Sequence, residues 1–394
     1  MVETPQQTPG ALGPATGDRG NGPRKAPLDG PPGRLEAPRP RPGSEWMLVL
    51  LFLAGIWLPR LDMTFHLFPS VDTHENRRPG VAPTLSARGL SGYLGDYGRY
   101  FTDNFGLRGA LIRADNTIRL KFLRSSPVSR LIFGRDAWIF YNSDVVPDGI
   151  TIRDFKGLAT YSAAELKVIR GNLDRCSRWC RARRIACVFV IAPNKETIYP
   201  EYLPSFIRKI GDKTRLDQVV EAVRSDSTIR LLDLRRTLWE AKSRCPYPLY
   251  SRGGTHWNQY GAFYAYRAIA SELARTYPRV RAHDFEDYDV VVDRESSEDH
   301  WLGLEENTAF RFSLKEQGAG SPDHGKIGKV VVMYDSFWNP LEPFFTPHFD
   351  AIIQERVDRD RDIVRALLER ERPDVVIYEM AERSADRVWK QIGF

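Results

Sequence analysis

The chain has 394 residues, 42% apolar, 27% charged and 11% aromatic, which is enough apolar content for a core and excludes a wholly disordered polypeptide. Lys and Arg exceed Asp and Glu by 57 to 51, but the excess is spread along the chain among acids, so no nucleic-acid partner is expected. Four cysteines are too few for a disulfide scaffold.

Residues 1–43 contain ten prolines and eight glycines without apolar periodicity, which predicts a disordered tail. An uncharged run of 14 residues, Trp46–Pro59, follows between Glu45 and Arg60. As a helix this run would reach roughly 21 Å, short of a hydrocarbon core of about 30 Å, so a buried helix is one reading of it. Its near-pure Leu, Val, Ile, Phe and Trp content, the polar tail before it, and Arg39 and Arg41 on its N-terminal side favour a membrane signal. Met63–Phe68 is again mostly apolar and extends the span, and no small-x-small cleavage site follows. The expectation is an uncleaved signal anchor over 44–68, with the N-terminus cytoplasmic and the C-terminal domain extracytoplasmic. A linker is expected over 69–91.

From residue 92 the patterning predicts helices over Tyr93–Asn104 and Leu107–Leu123, broken at Phe105-Gly106. Short strands are predicted over Val128–Phe133 and Ala137–Tyr141, joined by the turn Gly134-Arg135-Asp136. Next come a helix over Ala164–Arg184, a strand over Ile185–Ala192, a helix over Leu216–Arg224 and a strand over Ile229–Leu234. A long helix is expected over Asn258–Thr276 and an all-apolar strand over Lys329–Tyr334. A short strand over Ala351–Ile353, a helix over Asp360–Glu371, a strand over Val375–Tyr378 and a helix over Ala381–Lys390 close the chain. Strands that run apolar without alternation, separated by helices, imply a mostly parallel sheet covered on both faces, a three-layer α/β domain over 92–394. Cys176 and Cys180 stand one helical turn apart and are expected as ordinary helix residues, or in one disulfide, rather than as a metal site. No nucleotide-binding glycine motif and no His-Glu-x-x-His occurs, so neither cofactor nor metal is expected.

In such a sheet the productive crevice lies beyond the carboxyl ends of the strands. Three segments should arrive there: Val330–Phe337, a strand that turns sharply at Asp335-Ser336; Ile191–Lys195, a strand end followed by Asn194; and Gly253–Asn258, a loop before a helix. Acyl transfer needs a hydroxyl nucleophile, a base for its proton and donors for the oxyanion. Ser336, His256 and Asn194 are of those types. Taken singly each has a plainer reading: a helix N-cap, a packed histidine and an Asx-turn. Their joint arrival at one sheet edge favours catalysis. Trp257, Trp301 and Trp338 fall near the same edge, where they would either fill the core or stack on sugar rings.

Tyr334-Asp335-Ser336-Phe337 and Gly254-Thr255-His256-Trp257-Asn258 resemble the Gly-Asp-Ser-Phe and Asp-Thr-His-Trp-Asn motifs of the alginate O-acetyltransferase AlgX/AlgJ-like family. Phe133–Tyr141, Ala192–Pro204 and Asp374–Arg383 carry further similarity, as do Glu75-Asn76-Arg77 and Phe101–Arg108, so it runs in order from about residue 75 to the end. The resemblance implies an SGNH-hydrolase-like domain that moves acetyl groups onto an extracytoplasmic polysaccharide, beside a membrane-bound O-acyltransferase. It also implies that Ser336 is the nucleophile and His256 its base. The family's orienting aspartate falls on Gly254, and Tyr334 replaces the glycine before Asp335-Ser336. A dyad with the imidazole held by a backbone carbonyl, another acid (Asp335, Asp299 or Glu196) in the orienting place, and a degenerate site that binds polysaccharide are then all open. An esterase of the same fold is a further reading. Trp257 and Trp338 are expected as substrate contacts.

Overall fold

Apolar runs that lack alternation must be covered on both faces, and helices between them supply the cover. The computed structural model describes residues 42–68, 80–84, 89–119, 129–146, 149–293, 309–315 and 325–394. Nearly all of the expected tail and most of the expected linker lie outside these residues, as do Asp299 and Trp301.

The apolar run near the N-terminus is part of one helix, α1, Pro42–Phe65. It is longer than the uncharged run because the helix continues through Pro59 and the polar turn after it. Its 24 residues reach about 36 Å, so the short length inferred from the run alone is corrected. Among the described residues it is the one helix long and apolar enough to cross a membrane. Trp46, Leu50, Phe52 and Trp57 are all mostly exposed, which is not how a core helix presents its side chains.

The strands among the described residues are β1 Leu131–Phe133, β2 Ile139–Tyr141, β3 Ala186–Ala192, β4 Leu231–Asp233, β5 Tyr288–Asp293, β6 Ala309–Leu314, β7 Ile327–Tyr334, β8 Phe349–Arg356 and β9 Val375–Ala381. Five of them form the central sheet in the order β4-β3-β9-β7-β8, and every pairing is parallel. Successive residues of each strand feed opposite layers. Val188, Val190, Val330, Val332 and Ile377 join the layer that contains Trp257 and Phe263. Cys187, Phe189, Val331, Met333 and Tyr378 join the layer that contains Leu173, Leu368 and Trp389.

The expected helices are α2 Gly89–Asn104, α3 Arg108–Thr117, α4 Ala163–Ala182, α5 Arg215–Val223, α7 Gln259–Ala274, α8 Arg361–Glu371 and α9 Ala385–Gln391, with α6, Arg235–Lys242, in addition. Polar side chains set their starts. Ser162 and Glu165 make a reciprocal capping box on α4, Thr214 and Asp217 do the same on α5, and Asn258 caps α7. The last helix begins later than expected, at Ala385, because β9 continues to Ala381. β8 is likewise longer than the short strand expected, since its polar Gln354, Glu355 and Arg356 still pair with β7.

Candidate active site

The site is built at the carboxyl ends of β7, β9 and β3. β7 ends at Tyr334, and the chain turns through Asp335-Ser336-Phe337 with a hydrogen bond from the Trp338 N–H to the Asp335 carbonyl. The buried Asp335 carboxylate fixes this turn. One oxygen accepts the Phe337 N–H at 2.9 Å, and the other accepts the Ala381 N–H at 2.7 Å and the Ser384 hydroxyl at 3.1 Å. Asp335 thus ties the end of β7 to the end of β9. Its oxygens brace the Ser336 turn, and the orienting role expected of it toward the imidazole is not the one it plays.

His256 arrives from a different element. Leu249–Asn258 is a loop closed at its neck: Tyr250 bridges Trp257, and the Asn258 N–H donates to the Leu249 carbonyl at 2.9 Å. Asn258 also donates from its amide to the Pro248 carbonyl at 2.6 Å while its oxygen caps α7. A Cβ on Gly261 would stand 2.4 Å from the Leu249 oxygen, so only glycine lets the neck approach the helix this closely.

The interior of this loop is filled by an ammonium group. Lys195, only 2% exposed, has its Nζ among the carbonyls of Ile139 at 2.7 Å, Ser251 at 2.5 Å, Arg252 at 2.5 Å and Gly254 at 2.8 Å, so its three N–H groups are shared among four acceptors. Trp138 and Phe140 present ring faces to the same ammonium, 4.7 and 5.4 Å from their centroids. In the sequence Lys195 stands out only as a neighbour of Asn194. The signal that would have found it is its position just past a buried strand, where a charged residue needs several acceptors to stay.

The two motifs then meet. His256 Nε2 lies 2.7 Å from Ser336 Oγ, and Nδ1 lies 3.3 Å from the Thr255 hydroxyl. The residues that follow each of them lock the pair. The Trp257 indole N–H donates to the Phe337 carbonyl at 2.9 Å, and the Phe337 ring packs against both His256, at 4.8 Å, and Trp257, at 5.2 Å. Trp257 and Trp338 are 2% and 0% exposed, and Trp338 stacks on Phe345 within the core. Neither offers a face to a sugar, so the expected substrate contacts at these two positions are corrected to packing.

Asn194 sits at the end of β3, one strand beyond β9. Its backbone N–H donates to Glu382 at 2.9 Å and its side-chain oxygen accepts the Arg383 N–H at 3.3 Å. Among the described residues the amide nitrogen of Asn194 makes no hydrogen bond, and neither does the backbone N–H of Ser336. Arg383 is a further residue that the sequence reading did not single out. Its guanidinium lies over Phe337 and over Tyr141, 5.1 Å from each ring, which brings a cation to the rim of the Ser336 turn.

Carboxyls accumulate behind this edge. Glu379 is fully buried; burial first, and then Asp335, push its carboxyl well above the usual range, and it accepts the Asp335 N–H. Burial, reinforced by Glu382, raises Glu196 to about 8 and Asp154 to about 7. Glu196 is therefore a neutral acid at neutral pH, and an ionised orienting role for it is not what its surroundings favour.

Residues 131–301 match the family described as SGNH hydrolase-like domain, acetyltransferase AlgX, a segment that includes Asn194, Lys195 and His256 but ends before Ser336. No curated protein matches the chain in sequence. Among solved structures, Bacillus cereus PatB1 with a sulfonyl adduct is similar at 12% identity and a TM-score of 0.45, over 66% of this chain and 99% of that one. The O-acetyltransferase domain of Pseudomonas putida AlgJ is similar at 17% identity and a TM-score of 0.40, over 67% of this chain and 93% of its own. Pseudomonas aeruginosa AlgX is similar at 16% identity and a TM-score of 0.42, over 66% of this chain and 64% of its own. With the sheet, the turn and the loop in place, residues 131–301 are similar in sequence to AlgX-type SGNH hydrolase-like domains.

Proposed function

We propose that the protein is an O-acetyltransferase that acetylates hydroxyls of an extracytoplasmic polysaccharide through an acetyl-Ser336 intermediate. The observation that carries this reading is the 2.7 Å contact between Ser336 Oγ and His256 Nε2 at the carboxyl edge of a parallel sheet. With the Nδ1–H facing the Thr255 hydroxyl, Nε2 is the acceptor for the serine proton. Ser336 Oγ then adds to the acetyl carbonyl as His256 takes its proton. The tetrahedral oxyanion is held by the Ser336 N–H and the Asn194 amide, and the donor departs with the proton that His256 returns. A sugar hydroxyl repeats the sequence in reverse, giving its proton to His256, breaking the acetyl–Ser336 bond and leaving with the acetyl group.

Glycine at 254 cannot supply the carboxylate that the related motif places two residues before the histidine. The membrane helix α1 is read as the anchor that keeps the domain outside the cytoplasm, next to a membrane-bound O-acyltransferase that supplies acetyl groups.

The test uses the full chain in detergent with an activated acetyl ester, and mass spectrometry of the Ser336 peptide. Acetyl on Ser336 that is discharged by added polysaccharide is the expected result. No labelling in either the natural chain or a Gly254→Asp variant overturns the reading in favour of a binding or assembly role. Release of free acetate without any dependence on sugar points instead to an esterase.

A further inference from the structure

In the layer on the opposite face of the sheet from Trp257, three thiols from two elements converge. Cys176 and Cys180 project from successive turns of α4, and Cys187 projects from β3, which the helix covers. The three sulfur atoms all lie within 4.8 Å of one another, and none is in a disulfide. Cys176 and Cys180 are 0% exposed and Cys187 is 8% exposed. The sequence places Cys187 near the helical pair, in the strand that follows the helix, and the fold lays that helix on the strand so that the three thiols meet.

We infer that Cys176, Cys180 and Cys187 form a three-sulfur binding site for a soft metal ion, with Cu(I) as its occupant. Three thiolates around one ion at about 2.3 Å stand about 4 Å apart, so the observed spacing needs only small side-chain rotations to close on a metal. Thiolate sulfur selects Cu(I), zinc or an iron–sulfur cluster. Zinc in a structural site takes four ligands, but the group gathers no fourth His, Cys, Asp or Glu among the described residues, and the hydroxyl beside it is that of Tyr378, which accepts the Cys176 thiol at 3.7 Å. That phenol is enclosed in the core and is a poor anionic ligand there. A four-iron cluster needs four cysteines, and Cys245 lies outside the group. Three-fold sulfur coordination is left, and Cu(I) accepts it. Arg183, whose field acts on Cys180, offsets part of the negative charge. Each thiol that binds as thiolate releases one proton to solvent, and neither metal nor sulfur changes oxidation state. The bound ion would pin α4 to the strand whose end carries Asn194 and Lys195.

The site is tested on the full chain in detergent, purified without oxygen from cells grown with copper, and titrated with Cu(I) against a chromogenic Cu(I) chelator. One equivalent retained per chain is expected, with a rise in the thermal midpoint over the metal-free protein. Retention should vanish in Cys187→Ser and persist in Cys245→Ser. Should Cys187→Ser not fold, alkylation of the natural chain in denaturant decides: bound copper is expected to shield all three cysteines while Cys245 reacts. Equal retention in Cys187→Ser, no retention with all thiols reduced, or a count lower by two thiols, which marks a disulfide, each overturns the inference.

Discussion

The Lys195 ammonium donates to the Gly254 carbonyl at 2.8 Å, two residues ahead of the imidazole that contacts Ser336. Where the related motif carries a carboxylate, this chain carries a backbone carbonyl held by a buried cation. The loop's shape is held by main-chain acceptors converging on one nitrogen, while the ring itself contacts Ser336, Thr255 and Phe337. That arrangement has a mechanical consequence. A group that organises four carbonyls cannot be removed without freeing all of them, and the contacts to Ile139 and Gly254 are buried.

Lys195→Met is therefore expected to destabilise the fold severely. Each buried carbonyl left unpaired costs about 1–3 kcal/mol, so a total loss of at least ~3 kcal/mol is expected even if the loop relaxes. Lys195→Arg should not restore stability, because a planar guanidinium cannot aim at four acceptors that surround a point. Thermal unfolding of both variants in detergent checks this. A natural midpoint in Lys195→Met would mean that the carbonyls find other donors.

Ser336→Ala and His256→Gln are expected to lower acetyl transfer by at least ~10³-fold with little change in thermal midpoint. Both side chains are partly exposed at the site rim, and the turn beneath Ser336 is held by Asp335 rather than by the serine hydroxyl. Asp335→Asn differs in kind. It weakens acceptance from Phe337, Ala381 and Ser384 together, so it should reduce stability as well as rate. A variant that loses activity at full stability would assign Asp335 a direct part in the chemistry.

The parallel sheet and its three arriving segments are legible in the sequence because buried parallel strands leave continuous apolar runs, as at Val188–Ile191 and Val330–Met333. The Ser336–His256 pairing is legible because Ser336 lies in the turn just past such a strand and His256 in a loop just before a helix, both within the motifs that carry the resemblance. What the pattern does not carry is depth. Trp257 and Trp338 read as candidate sugar platforms, yet Phe337 packs against both the imidazole and Trp257, and both indoles are buried. Lys195 escapes for the same reason, and so does the closing of Cys187 onto the Cys176–Cys180 pair that the helical spacing shows. Their partners are backbone carbonyls or side chains on elements that only the folded sheet brings together.

Gly254→Asp is expected to raise the acetylation rate by about tenfold or more, since an acid two residues before the histidine orients and offsets the imidazolium. Gly254 is not among the glycines with positive φ, so its backbone does not forbid a side chain. Thr255→Val should lower the rate by roughly tenfold, because it removes the hydroxyl that faces Nδ1 and leaves the tautomer less defined. Single-turnover labelling of Ser336 measures both. If Thr255→Val is as fast as the natural chain, another group holds the ring.

Glu196 makes stability depend on pH in a direction opposite to that of a paired carboxylate. Burial first, and then the nearby Glu382, raise it from an ordinary 4.5 to about 8 in the folded protein. Between those values the folded state holds a proton that the unfolded chain has released, so stability falls as pH rises. The contribution is fully present below about pH 4.5 and is lost progressively up to about pH 8, at about 1.4 kcal/mol per pH unit. Asp154, raised to about 7, adds a similar decline over a lower window. Glu196→Gln stays neutral throughout and should lack the first decline. The variant is expected to match the natural chain near pH 4.5 and to exceed it near pH 8.5 by on the order of a few kcal/mol. Denaturant unfolding at both pH values provides the comparison, and curves that stay parallel across the range would show that Glu196 ionises normally in the folded protein.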